Sequence, residues 1–259
     1  LSVEQAIQRA GQYQSAGRLA EAEGLLAQIL QAQPRHAHAL HLQGVVAWMS
    51  GRPERALELI GEAIAAAPDV ALFHSNLAEM CRQQGRLADA VSHGEQAVAL
   101  DAAMTSAHSN LGIALCDAGE YDRAEACHRR ALQLAPDLVQ SLNNLGSIRH
   151  ARGDLAGAAA WYRKALAARP DYPESLSNLG AVLVQDDRAA EAEPLLDRAL
   201  QLQPEYPEAL CNLGLARHRL GNPESAIALL RRALQMRPGY HESLVGLGRV
   251  FIDAGRPDD

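Results

Sequence analysis

Aromatic residues make up only 4% of the 259-residue chain, so side chains suited to stacking on bases or sugars are scarce. Cysteine is nearly as sparse: four stand at 81, 116, 127 and 211, with no Cys-x-x-Cys pair among them. That excludes a disulfide framework, and it reads as small, partly buried thiols in a reducing, cytoplasmic compartment. No run approaches the ~18 apolar residues of a membrane span, and no basic segment followed by an apolar one opens the chain. Basic charge is not in excess either. The net charge is −7, and the pairs Arg129-Arg130 and Arg231-Arg232 form no basic stripe, which argues against a nucleic-acid partner. Phosphate loops, His-Glu-x-x-His strings and Ser/His/Asp arrangements are missing, so the chain is read as no enzyme and as needing no cofactor.

What is present is a single period. Proline stands at 34, 68, 136, 170, 204 and 238, and alanine at 22, 56, 90, 124, 158, 192 and 226, all on a 34-residue beat. With 48% hydrophobic and 21% charged residues the chain has the material to fold, and the period says how. In 105–138, Leu111, Leu115 and Ala118 take one helical face, Gly119 interrupts, a second stripe runs through Ala124, Cys127, Ala131 and Leu134, and Pro136 closes it. Each unit is thus expected to be two helices of about 12–14 residues joined by a tight turn, giving an all-α chain. The turn glycine recurs as Gly17, Gly51, Gly85, Gly153, Gly221 and Gly255, with Asp187 as the exception. A small residue (Ala10, Gly44, Ala78, Gly112, Gly146, Gly180, Gly214, Gly248) recurs in the first helix and is expected to let the helices approach without side chains between them.

The order small-x-x-Leu-Gly, turn Gly, Ala, Ala, Pro over 34 residues resembles the tetratricopeptide repeat family along essentially the whole chain. The windows are 3–36, 37–70, 71–104, 105–138, 139–172, 173–206 and 207–240, with a truncated eighth from 241, read as one solenoid. The resemblance implies a right-handed superhelix, an α-solenoid whose first helices line a concave groove. Its expected work is to bind protein or extended peptide. The string Gly255-Arg256-Pro257-Asp258-Asp259 matches Gly51-Arg52-Pro53-Glu54, the opening of a second helix. The native protein is therefore expected to continue, with an apolar flank exposed on the last helix.

The candidate binding residues form a ladder: Asn76, Asn110, Asn144, Asn178 and Asn212, each one residue before the recurring leucine. A carboxamide both donates and accepts, so a regular row of them suits the backbone of an extended peptide; the same row also suits packing between repeats. Ser109, Asn143 and Ser177, just before the ladder, are read as groove-facing companions, as are Ser75 and Cys211. With few fixed charges expected there, polar low-complexity segments are the favoured ligand. Family members that clamp a carboxylate tail use lysines on these faces, where this chain has Gln140, Glu174, Glu208 and Glu242. The fragments Ser-Asn-Leu-Gly (109–112, 177–180) and Asn-Asn-Leu-Gly (143–146) resemble the amino-terminal arm of O-linked N-acetylglucosamine transferases. That resemblance implies a substrate-guiding arm as one alternative, and self-association through the repeat ends is the other. His36, His38 and His41 lack further well-spaced ligands and are read as a solvated face, with no metal. His74 and His108 read as packing residues, and His150 and His218 as lining the inner surface. Trp48 and Trp161 are read as packing, with Tyr172, Tyr206 and Tyr240 wedged between adjacent repeats.

Overall fold

The computed structural model describes residues 1–255. The remainder of the string compared above with a second-helix opening, 256–259, lies outside the described residues. Among the described residues the chain is all helix. The first helices of the pairs are α1 (Val3–Ser15), α3 (Ala37–Met49), α5 (Ala71–Gln83), α7 (Thr105–Asp117), α9 (Val139–Ala151), α11 (Pro173–Gln185), α13 (Pro207–Arg219) and α15 (His241–Asp253). The second helices are α2 (Leu19–Ala32), α4 (Pro53–Ala66), α6 (Leu87–Leu100), α8 (Tyr121–Leu134), α10 (Leu155–Ala168), α12 (Ala189–Leu202) and α14 (Pro223–Met236). The chain divides into two compact units, Leu1–Leu134 carrying α1–α8 and Ala135–Asp259 carrying α9–α15.

Local chemistry sets the helix ends. Pro53, Pro173, Pro207 and Pro223 start helices, where the missing N–H costs nothing. Ser2 and Gln5 form a reciprocal capping box on α1, and Asp154 caps α10. Each first helix that leads into a second helix ends on a residue with positive φ: glycine at every turn but one, where Asp187 takes φ 63°. The next residue then donates back five positions, as in Arg18 N to Tyr13 O (2.8 Å), Glu120 N to Leu115 O (2.8 Å) and Arg188 N to Leu183 O (2.8 Å). This is the six-to-one bond of a Schellman stop, and it aims the second helix back along the first.

Packing within a pair follows one rule. A Cβ placed on Gly44, Gly112, Gly146, Gly180 or Gly214 would lie 2.5–2.8 Å from a side chain sixteen residues later: Ile60, His128, Tyr162, Leu196 or Leu230. The glycines do not leave bare backbone against bare backbone, as the sequence suggested. Each is a socket for a large side chain of the second helix. The third pair inverts the sizes, with Ala78 in the first helix and Gly94 in the second. The core of each unit is built from these knobs, with Phe73, Ile60 and Leu59 buried in the first unit and Tyr162, Leu196 and Leu183 in the second.

Candidate functional site

The ladder asparagines sit in the middle of first helices, and all five are half-buried. Within each unit, a recurring hydrogen bond ties first helices that follow one another. In the first unit, Asn76 Nδ2 lies 2.9 Å from His41 Nε2, and Asn110 Nδ2 donates to Ser75 Oγ at 3.3 Å. In the second, Asn178 Nδ2 donates to Asn143 Oδ1 at 3.1 Å, and Asn212 Nδ2 to Ser177 Oγ at 3.4 Å. The acceptor is 35 residues back in all four bonds; in three it stands just before the preceding rung, and His41 stands before Leu42, which holds the rung position on α3. Asn144 holds the corresponding place on α9 and is likewise half-buried.

The acceptors are held in turn. Asn143 Oδ1 also receives Ser175 Oγ at 2.9 Å, so two donors fix the way that amide faces. Ser177 hydrogen-bonds the Tyr206 hydroxyl, which burial pushes up to about 12. His41 stacks on Phe73 at 4.5 Å, and burial, with the neighbouring His38 adding to it, drives the ring down to about 4. The imidazole is therefore neutral at pH 7, and its Nε2 lone pair can accept the Asn76 amide.

This arrangement corrects part of the sequence reading. Ser109, Asn143 and Ser177 are not on the open face: they are 3%, 8% and 0% exposed. Ser75 and Cys211 are buried as well. The reason is helical phase. One residue before the rung is about 100° round the helix, toward the next first helix of the array. The 35-residue bond register was not read from the sequence. Its signal was there: a side chain able to accept (His41, Ser75, Asn143, Ser177) stands 35 residues before each of these four rungs.

In Asn76, Asn110, Asn178 and Asn212 the nitrogen is the arm of the carboxamide that meets the neighbour, and the oxygen is the other arm. Among the described residues nothing donates to Oδ1 of Asn76, Asn110, Asn178 or Asn212. One turn before the second-unit rungs stand Gln140, Glu174 and Glu208, with Glu242 at the same place on α15. Glu174 and Glu242 are exposed, and Glu208 pairs with Arg237 at 2.7 Å. This face is more acidic than the ladder positions alone indicated. The equivalent places in the first unit hold His38, Leu72 and Ser106, while Glu79 is neutralised by Arg82, which also binds Asp117.

The histidines do local work. His36 Nδ1 accepts from Ala39 N and caps α3, and His38 meets Phe73 edge-on at 5.3 Å. His74 Nε2 lies 3.1 Å from Pro68 O, and His108 Nε2 lies 3.1 Å from Ala102 O, so each ties its helix to the preceding loop. His150 reaches Gln185 and His218 reaches Asp253, both at 2.9 Å. Each therefore bridges to the following first helix. Among the described residues no group of three His, Cys, Asp or Glu is placed to hold a metal ion. The four cysteines are free, and burial raises all their thiol pKa values, Cys116 to about 11. No helix among the described residues is long and apolar enough to cross a membrane. An open cleft of about 510 Å³ lies among Arg163, Leu179, Leu183, Glu191 and Pro194; it carries no acid–base pair beyond that single arginine and carboxylate.

Paired helices in register, tied through first-helix amides, define an α-helical repeat array of the kind used as a protein-interaction scaffold. Family models described as tetratricopeptide repeat match residues 9–60, 42–106, 103–171 and 171–239. The chain belongs to the tetratricopeptide repeat family. Over 70 residues it is 46% identical to tetratricopeptide repeat protein 36 of Mus musculus and 43% identical to that of Homo sapiens. Those stretches are 27% of this chain and 38% and 37% of the relatives, so the match spans well under half of either. Among solved structures, the Cut9–Hcn1 hetero-tetramer of the APC/C is similar with TM-score 0.84 at 16% identity, over 96% of this chain and 49% of that one. A tetratricopeptide repeat protein of Parabacteroides merdae gives 0.75 at 14% identity, covering 96% and 98%. YrrB, described as having an unusual peptide-binding site, gives 0.53 at 20% identity, covering 73% and 97%. At these identities the likeness is one of fold.

Proposed function

We propose that this chain holds extended, polar segments of a partner protein along its first-helix faces, through the carboxamides of Asn76, Asn110, Asn144, Asn178 and Asn212. The observation that carries this reading is the half-exposed rung whose nitrogen is engaged at a neighbour while its oxygen has no donor among the described residues. Packing alone needs one end of the amide, and the other end remains for a ligand. Asn143 and Ser177 serve the site from behind, by fixing Asn178 and Asn212 rather than by touching the partner, and the buried Ser109 stands back from it as well. The mechanism is multivalent: several hydrogen bonds, each about 0.5–1.5 kcal/mol net, summed along a row. YrrB lends support only in that the shared fold accommodates a peptide site in that protein. Four free, high-pKa thiols fit a reducing, cytoplasmic setting. A guiding-arm role beside a glycosyltransferase rests on the Ser-Asn-Leu-Gly strings and has no further support.

The test is fluorescence anisotropy of a labelled (Ser-Gly-Thr)4 peptide against the wild type and the Asn178→Ala/Asn212→Ala variant. Binding that falls at least about tenfold with helicity retained supports the reading. Equal binding by both proteins removes it. Self-association is a second reading, favoured by the exposed Leu244, Val245 and Ile252 of α15. Light scattering across concentration decides it, because a monomer throughout excludes it.

A further inference from the structure

We infer that the second unit is built for a partner segment in the polyproline II conformation, bearing a free backbone N–H at every third residue; this rests on the amide-row reading above. The first part of the argument is spacing. The rungs Asn144, Asn178 and Asn212 lie on consecutive first helices α9, α11 and α13, which touch. Touching helices have axes about 8–10 Å apart. Polyproline II rises about 3.1 Å per residue with three residues per turn, so the same side of the chain returns every ~9.3 Å. A β-strand returns its face every ~6.7 Å or ~13 Å and misses that step. Three rungs thus match about seven residues of a polyproline II segment, meeting it at i, i+3 and i+6.

The second part is polarity. Asn178 Nδ2 is held by Asn143 Oδ1 (3.1 Å), whose orientation Ser175 also fixes, and Asn212 Nδ2 by Ser177 Oγ (3.4 Å). The other arm of each carboxamide is therefore an acceptor. A polyproline II backbone makes no internal hydrogen bonds, so its N–H groups are free to meet such a row. Proline cannot stand at a rung, because it has no N–H, but it is accommodated at the two positions between rungs and stiffens the segment. The third part is charge. Gln140, Glu174 and Glu208 precede the three rungs by four residues, one turn away on the same face; Glu208 is held by Arg237 at 2.7 Å, and the exposed Glu174 beside the central rung has no ion pair among the described residues. A lysine at the residue that meets Asn178 places its ammonium beside Glu174. The partner class is a proline-rich segment with a non-proline residue at a three-residue period and a lysine at the one that meets the central rung.

The experiment measures binding of three labelled peptides to the full chain: (Lys-Pro-Pro)4, the same peptide with N-methyl-lysine throughout, and (Ser-Gly-Thr)4. The first two share charge and differ in the backbone N–H; because Nα-methylation also makes the amide tertiary, circular dichroism of both peptides checks that each remains polyproline II. The inference expects (Lys-Pro-Pro)4 to bind at least about tenfold tighter than its N-methylated form, and the Asn178→Ala/Asn212→Ala variant to lose that difference. Equal affinity of the two lysine peptides for the wild type, including no binding of either, overturns it. If they are equal while the variant still loses (Ser-Gly-Thr)4, the polyproline geometry falls and the amide-row reading stands. If the variant binds all three peptides as the wild type does, both fall.

Discussion

The Asn178 nitrogen ties α11 to α9 through Asn143, and in the proposed reading its oxygen is left for the partner. Asn178→Ala removes the tie and leaves Asn143 Oδ1 with Ser175 as a donor, so no buried acceptor is orphaned. The expected cost is about 0.5–1.5 kcal/mol in urea unfolding, a modest loss. A larger one would make the row chiefly structural. Histidines make the residue scale sensitive to pH. Burial holds His128 down at about 4, and burial followed by the His38 charge holds His41 there too. A depressed base is protonated first in the unfolded chain. Stability is therefore full above about pH 6.5 and falls toward pH 4, by up to about 1.4 kcal/mol per pH unit for each ring. His128→Leu, the residue at the equivalent sites 196 and 230, should flatten that slope by one proton in thermal melts between those limits. The rung positions were legible in the sequence because they recur. The burial of Ser109, Asn143 and Ser177 was not, because it depends on which way the next first helix leans, and a single repeat read alone does not contain its neighbour.

At the scale of the element, the helices and turns could be read almost completely, since proline, glycine and the 3.6 period act locally. The sockets could not. A glycine in a first helix and a large residue sixteen positions later form a pair only once the hairpin closes. Gly146→Ala should place a methyl 2.5 Å from the Tyr162 ring, which is 1% exposed and hydrogen-bonded to Ser147. The expected loss is about 1–3 kcal/mol, measured by chemical denaturation. Pro194 stands inside α12 and is exposed, and its ring removes a helical bond. Ala160 and Ala228 hold the same place in other second helices, so Pro194→Ala should stabilise the fold by about 1–3 kcal/mol and raise the melting temperature.

For the whole molecule, the proposed reading is one of recognition by many weak polar contacts, in a chain with 4% aromatic residues and a net charge of −7. Each unit carries its own short row, with Asn76 and Asn110 in the first and Asn144, Asn178 and Asn212 in the second. Surface ion pairs such as Arg52–Glu23 (2.8 Å) and Arg198–Asp171 (2.8 Å) decorate the second helices and contribute little to stability. The period made the repeated pairs visible from the sequence, whereas the division into two compact units is a finding of the structure. The central claim is that rung amides touch the partner directly. Side-chain amide resonances of Asn178 and Asn212 in the 15N-labelled chain, followed during titration with (Lys-Pro-Pro)4, test it most closely. The account predicts that both shift along one saturating curve as their oxygens accept the new bonds. Saturable binding with both resonances unmoved would contradict it.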